Sequence, residues 1–285
     1  MLSYRHGFHA GSFADVHKHL VLLLLLEHLL RKPAPFCFID THAGAGCYDL
    51  NSSFALKQRE FESGIARLWP LSRIPDEVVR YLDVVRRCNA GTGTAEPVLR
   101  IYPGSPLIAQ SLMRTDDAMI LVELHNTEAP LLKELFRSDR RIAVHHRDGY
   151  EALPGLVPPA QKRGLVLMDP SYELHDEFIR VTESLERAWR RWPTAMYMVW
   201  YPLHRRHPVR TFHRALQRSG IRRILVSELG INRGDRANRL AGSGLAIVNP
   251  PWRFDSVFAA LTTWLESVLS QPGHIPARCH WLTRE

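Results

Sequence analysis

The residues of this chain best suited to chemistry stand directly behind short apolar runs. Asp40 follows Phe36-Cys37-Phe38-Ile39, Glu123 follows Met119-Ile120-Leu121-Val122, and Asp169 follows Gly164-Leu165-Val166-Leu167-Met168. Asp148 comes shortly after Ile142-Ala143-Val144-His145. Runs of this length read as buried strands. In an open α/β sheet, ligands bind outside the carboxyl ends of the parallel strands, so four such acids describe one crowded negative rim. Asp40 opens a glycine-rich turn, Asp40-Thr41-His42-Ala43-Gly44-Ala45-Gly46, and glycine lets backbone approach a ligand closely. The turn is not a dinucleotide fingerprint, because Asp49 stands at the third glycine's place. Nor is it a P-loop, because no Gly-Lys-Ser/Thr follows. An acid ahead of the turn repels a pyrophosphate and suits a ligand with a cationic end. S-adenosylmethionine has an α-ammonium, a sulfonium and a ribose diol. On this reading Glu123 accepts from the ribose hydroxyls and Asp148-Gly149 holds the adenine amine.

The last of the four acids begins Asp169-Pro170-Ser171-Tyr172. Methyltransferases directed at amines carry an acid or amide, then Pro-Pro, then an aromatic at this place. An exocyclic adenine amine has its lone pair delocalised into the ring. Two acceptors for its hydrogens draw that pair out of conjugation and towards the methyl group, while an aromatic ring stacks on the base. Asp169 and the Pro170 carbonyl are the expected acceptors, and Tyr172 is the expected stacking surface. Ser171 replaces the second proline, which loosens the turn and leaves both acceptors in place. The bland alternative is an ordinary strand-to-loop turn, for which Asp-Pro-Ser is common. Asn249-Pro250-Pro251-Trp252 matches the motif more literally. It ends the second of two successive strands with no helix between them, which pair antiparallel. It therefore belongs on the opposite edge of the sheet and reads as a rigid loop into the last helix.

The elements that position these residues follow from periodicity. Helices are predicted over 14–30, 56–69, 77–88, 129–136, 177–192 and 254–269, and strands over 36–40, 119–123, 142–145, 164–169, 195–200, 221–229 and 244–249. A flexible link is expected at 89–94. Strands alternating with helices mean a mainly parallel sheet with helices on both faces, an α/β fold. The block 52–100 falls between the first two strands and reads as a helical insertion into a core formed by 1–51 and 101–285.

Composition excludes several classes. Of the 285 residues, 45% are hydrophobic and 23% charged, near the globular average, so wholesale disorder is ruled out. Cys37, Cys47, Cys88 and Cys279 include no Cys-x-x-Cys pair, which argues against a disulfide scaffold or zinc ribbon and for a reducing cytosol. The aliphatic run 20–26 is too short to span a bilayer. With Arg31 and Lys32 behind it, no signal peptide is expected. The net charge is +8, but it is uneven. Between positions 190 and 239 twelve arginines stand against Glu228 and Asp235, a local excess of +10 that leaves −2 for the rest. Such a field points to a polyanion partner. Arg206, Arg210, Arg214 and Arg218 recur every four residues, with Val209, Phe212 and Leu216 on another arc, as in an amphipathic helix with an arginine stripe. The competing reading is a merely solvated face.

Ahead of the first helix stands Tyr4-Arg5-His6-Gly7-Phe8-His9-Ala10-Gly11, and on it His17-Lys18-His19. Histidines at i and i+2 face different ways, so His17 and His19 do not easily share an ion. An ordered polar tail near the active site is the better reading, and no metal is expected. Taken with the Asp40 turn, Tyr102-Pro103-Gly104-Ser105-Pro106, Asp169-Pro170-Ser171-Tyr172, Trp200-Tyr201-Pro202 and Asn249-Pro250-Pro251-Trp252, this tail gives the chain a close, essentially end-to-end resemblance to a known family. It resembles the RlmJ-type 23S rRNA adenine-N6 methyltransferases, which modify adenine 2030 of the large-subunit rRNA. The resemblance implies a Rossmann-like class I S-adenosylmethionine-dependent methyltransferase with an inserted helical subdomain. It places cofactor contacts at His19, His42, Ser105, Glu123, Asp148, Gly149 and Asp169, and substrate contacts at Tyr4 and Lys18. Asp169, Pro170 and Tyr172 carry the catalysis, and Arg206, Arg210 and Arg214 would bind the RNA backbone. The family acts on protein-free rRNA, here by base flipping, and a cytoplasmic monomer without a membrane partner is expected. The alternatives are a DNA adenine methyltransferase, a metal-dependent nuclease for external DNA, and a binding protein on a dead methyltransferase fold.

Overall fold

The computed structural model describes residues 5–90, 97–204, 209–233 and 240–284. Ser12 caps α1 (Phe13–Leu30), its hydroxyl accepting from the Asp15 amide at 3.4 Å. Next come β1 (Cys37–Asp40), β2 (Cys47–Asp49), α2 (Ser53–Gln58), α3 (Ile65–Leu68) and α4 (Asp76–Cys88). β3 (Ile101–Pro103) and α5 (Ser105–Leu112) follow. Strands and helices then alternate through β4 (Ala118–Glu123), α6 (Glu128–Phe136), β5 (Ile142–His146), α7 (Gly149–Leu156), β6 (Gly164–Met168), α8 (Glu177–Arg191), β7 (Met196–Leu203) and α9 (Val209–Arg218). The chain closes with β8 (Ile224–Gly230), β9 (Gly242–Val248), α10 (Phe254–Leu269) and β10 (Arg278–Thr283).

Among the described residues the main sheet has eight strands in the order β10-β8-β9-β7-β6-β1-β4-β5. β5, β4, β1, β6 and β7 are parallel neighbours. β9 runs antiparallel between β7 and β8, as the missing helix implied. The central strands β1, β6 and β9 are buried along their whole length because both faces of the sheet are covered there. Phe38, Leu165 and Leu167 enter one core with α1, α4, α5 and α10, whereas Cys37, Ile39, Val166 and Met168 enter the other beneath α7, α8 and α9. α1 is apolar nearly all round because it lies inside the first core, where even His17, Lys18 and His19 are buried. Chain order reverses at β1, with β4 on one side and β6 on the other. That switch point opens a crevice beyond their carboxyl ends.

Helices α5 and α7 are absent from the sequence reading, and three further features depart from it. The helix predicted over 56–69 is broken into α2, a 3₁₀ turn at Glu60–Ser63 and α3. Arg59 adopts φ 53°, and a Cβ on Gly64 would fall 2.1 Å from the Gly11 carbonyl. Close passage against the chain entering α1 overrides helical propensity there. β2 and β3 form a separate two-stranded antiparallel ribbon. Asn89 ties it to α4, donating to the Val85 and Ile101 carbonyls and accepting from the Arg100 and Ile101 amides. β10 adds an antiparallel edge strand to β8. The block 52–100 thus holds α2, α3 and α4, of which α3 and α4 bury Ile65, Val78, Tyr81 and Leu82 in the core shared with α1. The link at 91–94 lies outside the described residues. No helix among the described residues is long and apolar enough to cross a membrane.

Candidate active site

A cavity of about 290 Å³ opens at the carboxyl ends of β1, β4 and β6. His19, His42, Ser105, Glu123, Asp148, Gly149 and Asp169 all line it, and so does Lys18. The β1 turn reaches it through two left-handed glycines, Gly44 at φ 61° and Gly46 at φ 77°. The Gly44 amide donates to Glu123 Oε2 at 2.7 Å, and a Cβ on Gly44 would strike the Tyr48 hydroxyl at 2.3 Å. A Cβ on Gly149 would lie 2.1 Å from the Thr41 carbonyl. Gly149 lets one backbone press against another, and Gly44 admits the Tyr48 hydroxyl; both close approaches shape the floor. His42 leans edge-on against Tyr150 at 4.9 Å, and burial pushes its pKa down to about 4, so the ring is neutral at pH 7.

The rim acids differ in their duties. Glu123 accepts the Gly44 amide on one oxygen and the His125 amide on the other, each at 2.7 Å. Asp148 caps α7, taking the Tyr150 and Glu151 amides on Oδ1, while Oδ2 pairs with Arg180 at 2.7 Å. Burial works to raise its pKa, but Arg180 and the two amides outweigh it and hold the carboxyl below its usual range. Asp40 stands behind the cavity wall, fully buried. It accepts from Ser105 Oγ at 2.6 Å and the His42 amide at 3.1 Å. Burial, aided by the charge of Asp169, pushes its pKa up to about 7. Asp40 therefore orients Ser105 and His42 and does not itself face a ligand, contrary to the rim expected from sequence.

Asp169 is held from α1. Lys18 ion-pairs with it and with Asp15, the latter at 2.8 Å. Desolvation opposes the charge on Lys18, yet the two carboxylates overcome it and raise the lysine's pKa. Asp15 also accepts from His6 at 2.9 Å. His19 lies stacked on Tyr102, its Nδ1 2.9 Å from the hydroxyl, and Tyr102 bonds Tyr81 of α4. His17, two residues away, faces the sheet at Ser243 and Ser227. The i, i+2 pair thus points in different directions, as its spacing required. Pro170 is buried behind Asp169, and among the described residues nothing donates to its carbonyl.

Tyr172 corrects the sequence reading. It has φ 55° and is 6% exposed. Its ring packs on Phe178 at 4.6 Å and Trp200 at 5.8 Å, and its hydroxyl donates to the Trp200 carbonyl at 2.8 Å. The cavity is lined from this loop by Ser171, Glu173 and Leu174. The ring therefore offers no free stacking face in this structure, because the aromatic core under α8 claims it. Arg210 and Arg214 are exposed on α9 while Phe212 and Leu216 are buried, the amphipathic arrangement the spacing implied, and neither arginine lines the cavity. Tyr4 and Arg206 lie outside the described residues. Asn249 sits across from the cavity, its side chain donating to the Pro193 and Ala195 carbonyls at the start of β7. Sequence reasoning missed Asp15, Tyr150, Glu177 and Arg180. Asp15 and Lys18 share a helix face at i, i+3, a usable signal; nothing in sequence links Arg180 to Asp148.

For S-adenosylmethionine this donor set fits. Glu123 brings acceptor oxygens to a ribose diol, Asp169 brings a carboxyl to the cationic end, Ser105 brings a hydroxyl, and neutral His42 and Tyr150 bring ring surface to a purine. Residues 33–283 match the family described as Ribosomal RNA large subunit methyltransferase D, RlmJ. The chain belongs to this family. Over all 285 residues it is 37% identical to the Ribosomal RNA large subunit methyltransferase J of Haemophilus influenzae, with both chains fully covered. It is 39% identical, again over both full chains, to the protein of the same name from Escherichia coli. A crystal structure of a Legionella pneumophila protein superimposes with a TM-score of 0.85 at 31% identity, covering 96% of this chain and 98% of that one. The fold is that of the class I S-adenosylmethionine-dependent methyltransferases, as the resemblance in sequence implied.

Proposed function

We propose that this protein transfers the methyl group of S-adenosylmethionine to N6 of one adenine in 23S rRNA, taking the base from protein-free rRNA by flipping it from its stack. The observation that carries this reading is the Asp169 carboxylate. It directly follows β6, is gripped by buried Lys18, and shares one cavity with Glu123 and Asp148. His19, His42, Ser105, Glu123, Asp148, Gly149 and Asp169 hold the cofactor. Bound there, the cofactor supplies an electrophilic methyl carbon on a sulfonium.

The rest is positioning by the chain. Asp169 accepts one hydrogen of the target amine and the Pro170 carbonyl accepts the other, so the nitrogen lone pair turns towards the methyl. Lys18 fixes the orientation of Asp169, which is placed to take the proton that N6 sheds. Tyr172 acts from beneath, anchoring the 171–174 loop on which the base rests, and Tyr4 contacts the substrate. The exposed arginines Arg210 and Arg214, with Arg206, hold the RNA backbone. The 52–100 block is an inserted helical subdomain, and the protein works as a cytoplasmic monomer. A nuclease reading is less favoured, because the Lys18 ammonium already lies between the Asp15 and Asp169 carboxylates and a metal ion there would meet a like charge.

The test is transfer of labelled methyl to protein-free 23S rRNA lacking the modification, with Asp169→Ala alongside and the labelled base mapped. Label on one adenine N6, absent with the variant, is expected. No label on rRNA, or undiminished label with Asp169→Ala, would overturn the reading.

A further inference from the structure

Beside the cavity mouth the surface carries side chains that methyl transfer does not use. Phe54 on α2 is 39% exposed, and its ring meets Phe8 edge-on at 5.0 Å. The Arg5 guanidinium stands over the Phe54 ring at 5.3 Å, and the Lys57 ammonium over the Phe8 ring at 5.6 Å. Lys57 makes no ion pair among the described residues. The group adjoins the cavity directly. His6 and Tyr48 line it with rings 5.1 Å apart, and a Cβ on the intervening Gly7 would lie 3.7 Å from Phe54 Cβ and 4.0 Å from the Tyr48 ring.

Packing on Gly7 and Phe8 still leaves Phe54 39% exposed. α2 is six residues long and buries only Ala55. A ring with a cation over it is a two-part receptor for a nucleotide, because the face stacks on a base and the cation meets a phosphate. Cation–π contacts at exposed sites are weak enough to be exchanged for such a ligand. A protein-docking patch would be a larger continuous apolar surface, whereas here two cations interrupt it. Flipping the target adenine also removes a stacking partner from its neighbours.

We propose that Phe54, with Arg5 and Lys57, is a stacking site for a nucleotide adjoining the target adenine, which makes α2 part of the RNA interface. This rests on the RNA-methylation reading above. Phe54→Leu keeps apolar packing on Gly7 and Phe8 but removes the aromatic face, and Phe54→Trp restores it. RNA stems carrying 2-aminopurine at each position flanking the target would be used for methylation kinetics and for fluorescence on binding.

The Phe54→Leu variant should raise KM for RNA about tenfold, with kcat and S-adenosylmethionine affinity within about twofold. Phe54→Trp should recover the wild-type KM. One flanking 2-aminopurine should be quenched by the wild type and by Phe54→Trp but not by Phe54→Leu. Lys57→Gln should lower the salt slope of RNA binding by about one. A wild-type KM for Phe54→Leu, or flanking fluorescence that is the same for all three proteins, would overturn the proposal. A wild type that binds these RNAs without methylating them would sink the proposed function, while the fluorescence comparison would still decide the stacking site.

Discussion

His17 tests how this fold keeps polar groups in its interior. The ring is fully buried on α1, with Nδ1 3.0 Å from Ser243 Oγ and Nε2 3.3 Å from Ser227 Oγ. Ser243 also accepts from Trp200 Nε1 at 3.0 Å, and Ser227 bonds Thr262 at 2.7 Å. Phe258 stacks on the ring at 6.3 Å. These partners bring no charge, and burial lowers the His17 pKa from 6.5 to about 3. Between those values the unfolded chain holds more protons than the folded one, so stability falls as pH falls. At pH 5 the unfolded ring is almost fully protonated and the folded ring is not. At about 1.36 kcal/mol per unit, the loss relative to pH 7.5 is about 2 kcal/mol, a roughly thirtyfold change in the unfolding equilibrium. The figure needs only that the folded pKa lie well below 5. Urea unfolding of wild type and His17→Leu at pH 7.5 and pH 5 isolates it, because His19 and His42, also depressed by burial, contribute equally to both. Leucine keeps the site apolar and leaves each serine one partner. The wild type should lose about 2 kcal/mol more than the variant. Equal losses would refute the claim that His17 is held neutral by burial.

Lys18→Met removes the only cation that ion-pairs with both the buried Asp15 and the half-buried Asp169 among the described residues. It should cost about 3–5 kcal/mol of stability and abolish methyl transfer; a denaturation midpoint equal to wild type would contradict the ion-pair account. Arg210→Gln with Arg214→Gln should reduce the salt slope of RNA binding by about 1.4–1.8, and an unchanged slope would return α9 to a solvated face. Gly149→Ala forces a Cβ towards the Thr41 carbonyl. It should destabilise by about 1–3 kcal/mol and weaken S-adenosylmethionine binding in calorimetry, whereas wild-type affinity would show that this contact does not shape the site.

Much of the frame was legible because its signals are local. Phe36-Cys37-Phe38-Ile39 and Gly164-Leu165-Val166-Leu167-Met168 are continuous apolar runs, which only a sheet covered on both faces needs. The missing helix between β8 and β9 implied their antiparallel pairing and so placed Asn249-Pro250-Pro251-Trp252 away from the cavity. The three-residue ribbon strands β2 and β3 are too short to show alternation, and the break at Arg59 and Gly64 depends on contact with Gly11.

The site divides the same way. That Asp40 and Glu123 end strands and Asp169 directly follows one is written in the chain, since the end of a parallel strand lies at the rim wherever the strand lies. Which of them meets a ligand is not. Asp40 withdraws behind Ser105, Asp148 lines the cavity while one of its oxygens pairs with Arg180, and Tyr172 turns into the aromatic core. Lys18 reaches Asp169 across 151 positions of sequence. Residue type and order determined the fold class and the rim. The partnerships that set charge, orientation and access arise only when distant segments are brought within hydrogen-bond reach, because their energies depend on distance and burial, which no local pattern encodes.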